Sequence, residues 1–220
     1  MRTFILMLKR FKKMVFFLNK YKFFPPPYYT DLSGYEVLMD SILKYKLYQL
    51  DGDFVEIGVF LGGGTYKLSK LIGRVNRAKR IFAVDIFDPD FDKTFCAQGV
   101  TMKDIYLKLL NGESQYEIYK QVTKNCKNLV TIIGDSKKID IPCEKIVFSY
   151  IDGNHSPDYV KNDFYKVWEK VVSGGVVVFD DYGYDLPQVT ETIDVLIENE
   201  KQGVMKYWVV GLKTIFIQKK

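Results

Sequence analysis

FVEIGVFLGGGTYKLSKLI, residues 54–72, decides the fold. An apolar run from Phe54 to Phe60 breaks into Gly62, Gly63 and Gly64, and the chain continues from Thr65 as a helix. A buried strand that turns through glycines straight into a helix is the opening of a parallel β-α-β unit. The pattern recurs downstream. IFAVDIF (81–87), LVTIIGD (129–135), KIVFSYIDG (145–153) and VVVFDDYG (176–183) are short apolar runs. Helix-like stretches separate them, among them DYVKNDFYKVWEKVV, which ends at Gly174-Gly175. Upstream, TDLSGYEVLMDSILKYKLYQ (30–49) reads as a helix capped by Thr30 or Asp31.

Such alternation specifies a parallel sheet covered by helices on both faces. MKYWVVGLKTIFIQ (205–218) breaks the rhythm: its two β-rich runs are joined by Gly211-Leu212-Lys213, far too short for a crossover helix. They must form an antiparallel hairpin. The expected fold is α/β, a doubly wound Rossmann-like sheet of seven strands, five of them parallel, closed by a C-terminal antiparallel hairpin.

Composition is that of a globular domain. The 220 residues are 47% hydrophobic and 27% charged, enough to bury a core without staples. Cys96, Cys126 and Cys143 lie far apart without CxxC spacing, which points to a reducing cytosol and to neither zinc site nor disulfide framework. The net charge of +5 is concentrated: residues 1–24 hold Arg2, Lys9, Arg10, Lys12, Lys13, Lys20 and Lys22 and no acid, so the body is slightly acidic. Within that segment Phe4, Met7, Leu8, Phe11, Met14, Val15 and Leu18 recur at helical spacing opposite a basic face. A spanning helix needs roughly 20 apolar residues, and these runs are short and interrupted. Residues 4–18 read as a basic amphipathic helix, for peripheral contact with an anionic membrane or for packing on the domain or a partner chain. The chain divides into this helix and its Pro25-Pro26-Pro27 break (1–29) and one catalytic-type domain (30–220). With positive charge confined to one terminus, a nucleic-acid groove is not expected. A homo-oligomer is left open, as is a location at the inner face of the membrane.

In a doubly wound sheet, ligands bind beyond the carboxyl ends of the strands. The first such end is Glu56 to Thr65, where Gly58, Gly62, Gly63 and Gly64 allow a tight turn and close backbone approach before a helix N-terminus. The second offers Asp85, placed for ribose hydroxyls, and the third Gly134 and Asp135 beside the same pocket. The fourth and fifth strands should be neighbours, bringing Asp152, Asp180 and Asp181 together. Two unit charges about 4 Å apart repel by roughly 4 kcal/mol at an effective dielectric near 20. A hard divalent cation with oxygen ligands, magnesium by preference, would neutralise them. Otherwise Asp180 caps a turn and Asp181 faces solvent. His155, the only histidine, follows Asp152 by three residues; either one is a candidate general base.

Taken together, EIGVFLGGGT, VDIFD, IIGDS, YIDGNHSPDYVKNDF, SGGVVVFDDYG and the closing hairpin resemble the S-adenosylmethionine-dependent methyltransferases of the Rossmann-like class, and within it the macrocin O-methyltransferase group. The resemblance runs from about Leu50 onward. It implies that Glu56 and the Gly58 to Gly64 turn hold the methionine end of S-adenosylmethionine and Asp85 its ribose. It also implies that Asp135 lies beside the adenine, that Asp152, Asp180 and Asp181 bind magnesium, and that the acceptor is a hydroxyl of a sugar or glycan precursor. Where sugar methyltransferases of the group often read aspartate, leucine and tyrosine after IDG, this chain reads Asn154-His155-Ser156. Residues 88–128 exceed a minimal crossover and read as a lid or specificity insertion. Three other functions share these features: methyl transfer to a small phenolic or catechol acceptor, a nicotinamide-dependent oxidoreductase, and a catalytically inactive membrane-associated binding protein.

Overall fold

The computed structural model describes residues 32–211 and 213–220, so the amphipathic segment 4–18, the Pro-rich break and the helix cap at Thr30 or Asp31 lie outside the described residues. Helix α1 (Leu32–Lys44) and a short 3-10 turn (Leu47–Gln49) precede β1 (Asp53–Ile57) and α2 (Gly63–Val75). Then come β2 (Ile81–Asp85), α3 (Met102–Leu110), α4 (Gln115–Thr123), β3 (Leu129–Ile133) and β4 (Ile146–Ile151). The remainder is α5 (Pro157–Trp168), β5 (Val171–Phe179), α6 (Pro187–Asn199), β6 (Val204–Val210) and β7 (Thr214–Lys219).

The seven strands form one sheet in the order β3-β2-β1-β4-β5-β7-β6. The first five are parallel, and β7 pairs antiparallel with both β5 and β6. This is the expected Rossmann-like architecture, and the strand order reverses between β1 and β4. Period-2 alternation splits the core into two layers. Val55, Ile57, Val177, Phe179, Ile215 and Ile217 face α5 and α6. Phe54, Phe148, Val176, Val178 and Phe216 face α1 and α2.

Three boundaries differ from the sequence expectation. The helix expected to run to Gln49 ends at Lys44, because Lys46 (φ 53°) turns the chain into the separate 3-10 turn. The apolar run from Phe54 stops pairing at Ile57, because Gly58 (φ 82°) and Phe60 (φ 45°) turn the chain out of the sheet. The helix expected to reach Gly174-Gly175 ends at Trp168, and β5 begins at Val171. The β-branched Val171 pairs with Ile146, and the register then jumps to Phe148↔Val176, so the glycines sit in an irregularity within the strand. The insertion holds α3 and α4; Thr101 caps α3, its Oγ accepting from the Asp104 amide. Among the described residues, no helix is long and apolar enough to cross a membrane.

Candidate active site

Two cavities lie beyond the carboxyl ends of β1, β2, β4 and β5. A narrow slot of about 80 Å³ runs past Asp85, Gly134 and Ser136 to Asp163, with Phe91 and Gln115 of the insertion over it. A larger cavity of about 430 Å³ opens over Gly63, Gly64, Tyr150, His155 and Asp181. Gly58, Phe60, Tyr106 and Asp152 line both, so the two meet at the end of β4.

The glycine turn is shaped first by the protein itself. A Cβ on Gly58 would lie 2.0 Å from the Asp152 carbonyl oxygen, one on Gly62 (φ 79°) 2.6 Å from the Tyr119 ring, and one on Gly64 1.7 Å from the Tyr35 ring. Asp85 ties this turn to β2. Its Oδ2 accepts from the amides of Val59 (2.8 Å) and Phe60 (3.0 Å), and its Oδ1 from Phe87 (2.6 Å). Burial raises its pKa, and those amides limit the rise. Glu56 is fully buried behind Tyr35, whose hydroxyl donates to Oε1 at 2.7 Å, while Oε2 has no hydrogen-bond partner. Burial pushes the Glu56 carboxyl up to about 7 against the pull of Tyr35. Thr65 is buried in the first turn of α2.

On the slot side, Gly134 and Ser136 line the space but Asp135 does not. Its carboxylate is engaged by Tyr159 Oη (3.0 Å), the Lys137 amide (2.9 Å) and Lys138 Nζ (3.1 Å). The buried acid that does line the slot is Asp163 of α5, which burial pushes up to about 6.

At the ends of β4 and β5, the aspartate pair separates. Asp180 turns to the hairpin: its Oδ2 accepts from Lys213 Nζ at 2.6 Å and its Oδ1 from Thr214 Oγ1 at 3.2 Å. Burial, then Asp152 and Asp181, push Asp180 up to about 7, against the pull of Lys213. Asp181 adopts left-handed backbone (φ 57°), which aspartate tolerates better than most residues. Its Oδ2 lies 3.1 Å from His155 Nε2, and Asp152 Oδ1 lies 3.7 Å from the same atom. Asp152, His155 and Asp181 each offer an atom within 4.8 Å of the others. Of the three aspartates expected to bind a cation, Asp152 and Asp181 converge with His155, while Asp180 lines the same cavity but pairs with Lys213.

His155 is held from behind. Asp92, in the loop before α3, accepts from the His155 amide (3.1 Å) and lies 2.6 Å from Nδ1. Burial raises the Asp92 carboxyl, but the hydrogen bond and charge of His155 leave it below its ordinary value. Burial opposes a charged His155, yet the carboxylates of Asp152, Asp181 and Asp92 around the ring raise its pKa well above that of a free imidazole. Nε2 is buried and makes no aligned hydrogen bond. An orphaned buried nitrogen facing two carboxylates is costly and fits the place of a cation.

Sequence reasoning missed Tyr35, Asp92, Tyr106, Asp163 and Lys213. One signal was present for Lys213: Phe179 pairs with Ile215, and antiparallel register sets residues 213 and 214 opposite 181 and 180.

A family model described as a methyltransferase domain matches residues 55–182. Among solved structures the chain is similar to the O-methyltransferase NovP, at 16% identity and a TM-score of 0.67 over 84% of this chain and 79% of that one. It is similar to CalS11, a TDP-rhamnose 3'-O-methyltransferase of calicheamicin biosynthesis, at 15% identity and a TM-score of 0.55 over 83% and 77%. An O-methyltransferase from Bacillus cereus in complex with SAH gives 12% identity and a TM-score of 0.57 over 89% and 84%. These likenesses show the fold. No curated protein matches the chain.

Proposed function

The chain belongs to the methyltransferase-domain family, and on that premise we propose that this S-adenosylmethionine-dependent methyltransferase methylates a hydroxyl of a sugar or glycan precursor with the help of a divalent cation. The observation that carries the reading is the junction of the two cavities at Gly58, Phe60, Tyr106 and Asp152. Methyl transfer needs donor and acceptor in line, and alignment alone is worth up to roughly 7–11 kcal/mol. Two compartments sharing one wall provide such an arrangement.

The slot suits the nucleoside. Val84, Ile86 and Phe91 give it apolar walls, and Asp85, Ser136 and Asp163 give it polar ends. Its volume of about 80 Å³ is below the roughly 300–1,000 Å³ usual for ligand sites. Phe91 and Tyr106 of the insertion line it and are placed to move as a nucleoside enters, which supports the reading of residues 88–128 as a lid. Glu56 supports the methionine end through Tyr35, which lines the larger cavity beside Gly63 and Gly64. When bound, S-adenosylmethionine supplies an electrophilic methyl group.

In the larger cavity, Asp152, His155 and Asp181 would hold the cation. Such a cation would supply Lewis-acid chemistry, lowering the pKa of an acceptor hydroxyl beside it. Asp152 faces both compartments and is the group placed to accept the hydroxyl proton. Tyr35, Phe60, Tyr106 and Tyr150 form aromatic walls against which a sugar ring can stack. The same walls favour a second reading, a phenolic or catechol acceptor. The sugar reading is preferred for the resemblance to the macrocin O-methyltransferase group and the likeness to CalS11. A membrane-linked glycan precursor would suit the basic amphipathic pattern of residues 4–18.

The test is a thermal-shift titration with S-adenosylhomocysteine, followed by mass detection of methylated sugar-nucleotide and catechol acceptors. Ligand at 100 times its Kd should stabilise the protein by about 2.7 kcal/mol. Absence of any shift at millimolar ligand sinks the cofactor reading, and methylation of catechols alone sinks the sugar assignment.

A further inference from the structure

We propose that the cation centre is a nitrogen-containing site, with His155 Nε2 as a direct ligand beside Asp152 and Asp181, and that it selects a transition-type divalent ion such as manganese(II) over magnesium. This rests on the metal reading given above and deepens it. Three observations carry it.

The first is position. His155 is only 4% exposed, and its Nε2 is buried without an aligned hydrogen bond, within 3.1 Å of one carboxylate oxygen and 3.7 Å of another. The second is orientation. Asp92, itself 4% exposed, takes both the His155 amide and Nδ1. A carboxylate at Nδ1 holds a proton there, so Nε2 is the nitrogen that would be offered to an ion bound between the other two acids. That is the carboxylate-histidine-metal relay by which proteins orient an imidazole ligand and raise its basicity.

The third is the removal of the competing oxygen donor. Lys213 and Thr214 occupy both oxygens of Asp180, leaving Asp152 and Asp181 as the carboxylates facing His155. A divalent ion would answer Asp152 and Asp181, while the Lys213 ammonium, 2.6 Å from Asp180 and 3.8 Å from Asp181, answers chiefly Asp180. Magnesium demands oxygen ligands in near-ideal octahedral geometry and gives up water reluctantly. Imidazole suits the first-row transition ions better than it suits magnesium, a preference that is smallest for manganese(II), which also takes carboxylate and water ligands, and that grows along the series to copper(II). His155 therefore moves the preference away from magnesium.

The experiment uses the full chain without a histidine tag, stripped with chelator and loaded with manganese(II). Electron spin-echo spectroscopy reads nitrogen coupling to the bound ion, and His155, the only histidine, is the only imidazole that can supply it. The expected result is imidazole ¹⁴N modulation in the native protein, its loss in His155→Gln, and manganese retained in the presence of equimolar magnesium. Asp92→Asn should weaken manganese binding by roughly 10- to 100-fold while leaving the fold intact by circular dichroism. Manganese bound without nitrogen modulation, or displaced by equimolar magnesium, overturns this inference and leaves the metal reading standing. Failure of the native protein to bind either ion overturns both, whereas the S-adenosylhomocysteine titration tests the cofactor separately.

Discussion

Asp85 at the end of β2 and the acids at the ends of β4 and β5 occupy equivalent places in the sheet and have opposite surroundings. Asp85 accepts from three backbone amides, so its charge is answered by the turn it ties down. Beyond β4 and β5, Asp152 and Asp181 face a histidine nitrogen that has no aligned hydrogen bond. The contrast separates two uses of a carboxylate at a strand end. Where backbone donors saturate it, the group holds the fold; where a polar atom is left over, the group awaits something from outside.

Substitutions can break this contrast, and the largest effect should come from the acids beside His155. Asp152→Asn is expected to cut methyl transfer by roughly 10²–10⁴-fold, with the melting temperature little changed, as read by product mass and thermal denaturation. Asp85→Ala should lower stability as well, because this carboxylate ties the turn after β1 besides lining the slot. Hydrogen bonds to a charged group are worth about 1.5–3 kcal/mol each, so loss of three amide partners should lower stability by about 3 kcal/mol or more in urea melts. An Asp85→Ala protein as stable as the native chain would show that the turn does not depend on this carboxylate.

Glu56 sharpens the comparison through pH. Its carboxyl is raised from the ordinary 4.5 to about 7, so folding favours the protonated form. The penalty of ionising it in place is absent below about pH 4.5, grows as pH rises, and is complete above about 7. Its size is up to roughly 3 kcal/mol. Glu56→Gln should therefore gain stability relative to the native chain between pH 5 and pH 8, measured as the difference in melting temperature at each pH. A difference that stays flat across that range would mean Glu56 is not held in the way described.

The smallest effect belongs to Lys213, which is partly exposed and whose ion pair is accordingly discounted. Lys213→Met should lower stability by roughly 1–2 kcal/mol in urea melts, leaving the secondary structure by circular dichroism unaltered. An unchanged urea midpoint would show that Asp180 finds another partner.

Much of this was legible in the sequence, for identifiable reasons. Unbroken apolar runs such as IVFSYI mark strands buried on both faces, and the short Gly211 to Lys213 connection can only join an antiparallel pair. The convergence of Asp152 and Asp181 followed from β4 and β5 being neighbours. What could not be read was the division of labour among acids. Asp92 reaches His155 from a loop 63 residues away that carries no periodic pattern, and local turn chemistry gives no hint of it. Asp135 sits in the expected turn, but Tyr159 and Lys138 draw its carboxylate away from the slot. Side-chain direction in a loop depends on which partners the finished fold supplies.

The hairpin that bolts Lys213 and Thr214 to Asp180 also bears on the order of assembly. Strand β7 lies between β5 and β6, so a late-made strand enters the interior of the sheet and not its edge. Domains emerge from the ribosome N-terminal end first. A nascent chain that has emerged only as far as α6 already carries Asp152, Asp180 and Asp181, yet lacks the ammonium that quiets one of them. The pairing of Asp180 with Lys213 and the interior of the sheet are therefore completed in the same event.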